Sequence, residues 1–260
     1  MGHNTLGVLP KTKSWNQVVD ALDRDASDDE VVARSAKAAE TSLQAATRDP
    51  VFLEAFHLLL NLPIAARSDD FGDALRQLDL DVRQRPSMPD LLISISQRLE
   101  DITFASQGLT DLGDLASRAV TRTLDHAIGS EIPTLFAATP DDVQAALRKY
   151  SSSSWVAQLT RSFFGELVAE TLTYNLRRAL PLHIGEGRKF ENAAATADFD
   201  LGLRQLVFET TRIIREFSGG WYGKRISERG SISKPDAQVF GAVCVKKIIS
   251  ELQRRVDNHA

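Results

Sequence analysis

One cysteine, two methionines and five histidines in 260 residues leave little soft-ligand or nucleophile chemistry to read. Cys244 lies among Val243, Val245, Ile248 and Ile249, which excludes a disulfide within the chain and a paired-thiol metal site. It reads as a small apolar residue, and an apolar helix raises a thiol's pKa and so disarms it as a nucleophile. The histidines, at 3, 57, 126, 183 and 259, never fall at the H-x-x-x-H ligand spacing. His57, between Phe56 and Leu58, reads as a structural histidine on an apolar helix. There is no G-x-S-x-G elbow and no Walker spacing. No metal site and no cofactor are expected.

Long apolar runs are missing as well. The most apolar window, residues 51–66 ("VFLEAFHLLLNLPIAA"), is interrupted by Glu54, His57, Asn61 and Pro63. It falls short of the roughly 20 apolar residues of a membrane span. The opening "MGHNTLGVLPKTKSW" lacks the charged, apolar, small order of a secretory signal, and Leu6 stands where a myristoylation motif wants Ser or Thr. These absences lead to the expectation of a cytoplasmic protein with no membrane contact.

What is present is an ordinary globular composition, 43% hydrophobic and 25% charged, with charge unevenly spread. Residues 1–150 carry 15 Lys and Arg against 23 Asp and Glu, whereas 151–260 carry 16 against 12. The second half is therefore mildly basic, which either attracts an acidic partner or draws the two halves together. Arginine outnumbers lysine 22 to 9, as in a chain from a GC-rich bacterial genome.

Apolar residues recur at helical spacing, and most clusters begin with a capping residue. Ser14 with Gln17 and Ser27 with Glu30 read as capping boxes, predicting helices near 15–24 and 28–48. Asp49-Pro50 opens the next helix and Pro63 ends it; Ser68 and Ser87 open two more. Thr110 caps a helix to about 129, Thr139 one to about 149, and Ser153 or Ser154 a long one with Trp155, Leu159, Phe163 and Leu167 on its buried stripe. Residues 181–197 read as irregular, Asp198 as the cap of a helix to about 217, and Ser233 as the start of a last helix to about 257. That last helix has a wide apolar side and is expected to close its own domain. The expected fold is all-α, with nine to ten helices in a two-lobed bundle. The boundary falls at 129–138, between an acidic subdomain (1–130) and a mildly basic one (139–260), or the two merge into one continuous domain.

Two stretches invite a functional reading. In "EFSGGWYGKRISERG", residues 216–230, Gly219 or Gly220 reads as a helix stop with Trp221 or Tyr222 packed back on it. Alternatively the rings are offered to a ligand beside Lys224, Arg225 and Arg229, a combination that suits bases and phosphates. In "HIGEGRKF", residues 183–190, two glycines precede Arg188 and Lys189, but the strand and helix N-terminus of a phosphate loop are not evident. Glu166 and Glu170 stand one turn apart; a di-metal half-site would want histidine where Ala169 and Thr173 stand, so ion pairing is expected.

The function expected from these residues is a non-catalytic helical interaction module, a subunit or adaptor with a protein partner. Its contact residues would be Arg188, Lys189, Trp221, Tyr222, Lys224, Arg225 and Arg229. Nucleic-acid binding by the same basic half is the alternative. An enzyme site lined by His183, Arg188 and Glu170 is a second one.

Overall fold

The computed structural model describes residues 9–106, 110–132 and 138–257. Its helices run α1 Lys13–Asp23, α2 Asp28–Ala46, α3 Pro50–Ala65, α4 Phe71–Arg76, α5 Met88–Ala105 and α6 Asp111–Gly129. After α6 come α7 Pro140–Lys149, α8 Ser153–Leu176, a 3₁₀ turn Leu180–His183, α9 Ala193–Thr210, α10 Arg212–Arg229 and α11 Lys234–Asp257. The all-α expectation holds, and there is no strand among the described residues. Among the described residues the count is eleven rather than nine or ten, because residues 212–229 form a helix where a stop was expected.

Caps explain most of the starts. Ser27 accepts from the Glu30 amide, Asp49 from Val51 and Phe52, and Thr110 from Gly113. Ser87 with Asp90 and Thr139 with Asp142 form reciprocal capping boxes. Four starts differ from the sequence expectation; one is α8, where Ser152, not Ser153 or Ser154, is the cap residue and its side chain makes no capping bond. Thr12, not Ser14, caps α1, and Asp70, not Ser68, caps α4. Asn192, not Asp198, caps α9, because its extended backbone (φ −157°, ψ −179°) turns its Oδ1 onto the amides of Ala194 and Ala195. The alanines that follow are strong helix formers, so the helix begins well before Asp198. Pro63 lies inside α3, which continues to Ala65; so near the helix end its missing N–H forfeits a single bond.

α3 is apolar on nearly every side and forms the axis of the core. Phe56 stacks on Phe163 of α8 at 5.4 Å, meets Phe164 edge-on at 5.1 Å, and lies 5.9 Å from Phe240 of α11. All four rings are buried. Such pairs add about 0.5–1.5 kcal/mol each beyond the area they bury. α8 packs against α6, α9 and α10, while α11 returns to lie along α2 and α3. In place of two lobes there is one core that draws residues from α1 to α11. Residues 133–137, where most of the expected boundary lies, are outside the described residues. No described helix is long and apolar enough to cross a membrane.

Candidate functional site

The stretch 216–230 is helix, not loop. α10 runs through Gly219 and Gly220, and the chain stops at Gly230, whose φ of 75° is the left-handed conformation that glycine adopts freely. Gly219 serves a different purpose: a Cβ built there would lie 2.8 Å from the carbonyl oxygen of Ser153, so its bare Cα lets the first turn of α8 approach. At Gly223 the same construction meets Ser153 Oγ at 2.9 Å. Trp221 is half-buried and stacks on Phe240 at 3.9 Å with planes 8° apart. Tyr222 is buried, and burial pushes its hydroxyl pKa up to about 12. Arg225 and Arg229 converge on Asp236 at 3.5 and 2.9 Å, and Lys224 is exposed, 3.9 Å from Glu228. The rings thus face the protein and two of the three cations are held at one carboxylate.

The stretch 183–190 forms a tight corner. The Gly185 amide donates to the Phe190 carbonyl at 2.8 Å and the Phe190 amide to the His183 carbonyl at 3.0 Å. Gly185 and Gly187 supply the φ values of 132° and 70° that the reversal requires. The corner is clamped from below. The buried Lys189 Nζ donates to the Ala26 carbonyl at 2.6 Å and pairs with Asp28 at 2.9 Å. His183 is buried with Nδ1 3.5 Å from Asp23; desolvation lowers its pKa against the pull of that carboxylate. Arg188 remains exposed, with no ion pair among the described residues. On the outer side Leu182 is 73% and Leu201 of α9 66% exposed, beside the partly exposed Ile184. A groove of about 320 Å³ lies between this turn and α9, lined by Leu180, Pro181, Ile184, Thr196, Ala197, Asp200 and Arg177, which is exposed and has no ion pair among the described residues.

Two carboxylates are buried, and each is gripped by two cations. Glu54 accepts from Arg98 of α5 at 2.7 Å and pairs with Lys234 of α11 at 2.5 Å. Burial alone would raise its pKa, but the two hydrogen bonds prevail and hold it below the usual carboxylate range. Glu170 behaves likewise between Arg204 of α9 (2.8 Å) and Arg122 of α6 (2.5 Å). The ion pairing expected of Glu170 is thus observed, while His183 meets Asp23 of α1. Carboxylates fixed as anions in this way serve structure. Neither is poised to exchange a proton near neutrality.

No family model, curated protein or solved structure matches the chain. The site must therefore be read from its own geometry.

A cavity of about 390 Å³ opens between α6 and α8. α8 contributes Trp155, Gln158, Ser162 and Glu166, spaced to share one face. α6 contributes Arg122 and Thr123, and Phe208 of α9 closes one side. Trp155, expected on the buried stripe, is 37% exposed at this cavity with Lys149 Nζ 4.0 Å from its ring centroid. Glu166 is held loosely, 3.7 Å from Arg122 and 3.9 Å from Arg204. Thr123 is buried, yet its hydroxyl has no hydrogen-bond partner, and Gln158 and Ser162 make none among the described residues. No sequence motif marked this group, because it is assembled from three helices.

Proposed function

We propose that the protein is a non-catalytic interaction module whose docking surface is the corner at Leu182, Ile184 and Leu201. The observation that supports this reading is the exposure of Leu182 and Ile184 at a corner clamped through Lys189, with Leu201 exposed on α9 and two arginines, Arg177 and Arg188, without an ion pair among the described residues. Large exposed apolar side chains that share a patch with a charged rim suit a protein partner. The partner that fits is a protein segment presenting apolar side chains flanked by carboxylates. This surface keeps Arg188 from the residues singled out in the sequence. It transfers the rest of the contact from the α10 stretch to the corner.

The nucleic-acid alternative has less support, because Lys189, Arg225 and Arg229 are already paired with Asp28 and Asp236. Releasing such cations to phosphates would forfeit those pairs. The test is a photo-cross-linking residue at position 182 or 201 in living cells, read by mass spectrometry. The expected result is one dominant protein, captured through an acidic-apolar segment and lost in the Arg177→Ala, Arg188→Ala double variant. Equal capture of the same proteins by a cross-linker at Phe104, an exposed residue on α5, would overturn the reading.

A further inference from the structure

The α6–α8 cavity is not needed by an interaction module, yet its residues are arranged as a ligand site. We propose that it binds a neutral, planar nitrogen heterocycle through an edge of adjacent N–H donors, the edge that a guanine base presents. The ring is called for by the walls. Trp155 and Phe208 are large aromatic side chains left 37% and 40% exposed on the same cavity; Lys149 lies over one face of Trp155 and Arg161 over one face of Phe208, so each ring has its other face to offer a ligand. Aromatic walls of this kind stack on the faces of heterocycles. The volume of about 390 Å³ lies in the roughly 300–1,000 Å³ range of small-molecule sites.

The N–H edge is called for by Glu166. An ionised carboxylate only accepts, and at 3.7 and 3.9 Å its neighbours Arg122 and Arg204 lie beyond hydrogen-bond distance. Both guanidiniums are instead engaged by Glu170. The acceptor sites of Glu166 are thus free to take two parallel N–H bonds. One turn back along α8, Ser162 offers a hydroxyl and, a further turn on, Gln158 an amide. Neutrality follows from charge: an anion would meet Glu166 and a cation would meet Arg122, whereas a neutral base with donors and acceptors meets both without repulsion.

The experiment is isothermal titration of the full chain with guanosine, with adenosine as the comparison because it lacks the adjacent N–H pair. A short single-stranded RNA containing one guanine forms the third arm. The expected result is saturable one-to-one binding of guanosine, with adenosine weaker by about tenfold or more, the discrimination that losing charge-assisted hydrogen bonds produces. Glu166→Gln, checked for an unchanged melting curve, weakens guanosine to a similar degree, and Trp155→Ala weakens both nucleosides together. Tighter binding of the RNA than of guanosine supports the site and identifies a strand as the source of the base; weaker binding supports it with a free nucleoside as the source. Failure of guanosine to saturate at millimolar concentration overturns the proposal. So does equal binding of adenosine, or equal binding of guanosine to a folded Glu166→Gln protein.

Discussion

Alanine at position 219 and alanine at position 220 should change stability in opposite directions, although the two glycines are neighbours on one helix. Helix propensity treats them alike: each interior glycine costs about 1 kcal/mol relative to alanine, so each substitution begins with a gain of that size. Packing then separates them. At Gly220 an added Cβ meets nothing within 4 Å, and the gain stands. At Gly219 it would lie 2.8 Å from the Ser153 carbonyl oxygen and 3.3 Å from its carbon, main-chain atoms in the first turn of α8 that cannot rotate aside. Forcing such a methyl into a packed contact costs about 1–3 kcal/mol, which outweighs the propensity gain over most of that range. The expected outcome is that Gly220→Ala stabilises by about 1 kcal/mol and Gly219→Ala destabilises by about 1 kcal/mol. Urea unfolding at equilibrium reads both, with an unchanged m-value showing that the folded and unfolded surfaces are the same. If Gly219→Ala stabilises as much as Gly220→Ala, the close approach of α8 to α10 is not what glycine provides there.

Glu54→Gln should cost about 1.5–3 kcal/mol, the range for lost hydrogen bonds to a charged group, since it removes the anion shared by Lys234 and Arg98 and leaves Arg98 only the exposed Asp79. Lys234→Met, whose side chain is 46% exposed, should cost no more than about 1 kcal/mol, and equal losses in the two urea curves would refute the asymmetry. On acidification the first loss comes below about pH 6.5, where the unfolded chain protonates His57 and His183 while burial keeps their folded values depressed. A steeper loss follows below the ordinary carboxyl value of 4.5, as pH falls through the lowered values of Glu54 and Glu170. Melting temperature against pH checks both steps, and a flat profile between pH 7 and 5 would refute the first. At alkaline pH the sign reverses: Tyr222, with its folded value raised to about 12 from 10, contributes stability that fades above pH 10, and in an absorbance titration it should ionise last of the three tyrosines, all of which burial raises.

Local rules made most helix starts legible, because a cap needs only residues within three positions of one another. Ser27, Asp49, Ser87, Thr110 and Thr139 all cap where their spacing predicts. Glycine was misread at 219 because the same residue type that ends a helix by permitting positive φ also lets a second helix come close, and only the neighbour distinguishes the two uses. Lys189 and Arg225 read as surface cations for a similar reason. Their partners, Asp28 and Asp236, lie on other elements, and nothing in the residues around a cation announces a distant carboxylate. The α6–α8 cavity was illegible for the same cause: its lining is a property of three helices meeting.

The clamp beneath the 183–190 corner makes the N-terminal hairpin an author of a surface it does not touch. Lys189 reaches back 163 positions to the Ala26 carbonyl, so the turn between α1 and α2 is the foundation on which Leu182 and Ile184 stand. A mutational screen for loss of the proposed docking would therefore return substitutions at Asp28 and Lys189 alongside those at Leu182 and Leu201. Read without the fold, such a result would suggest two separate binding sites; with it, the first pair marks the footing and the second the face.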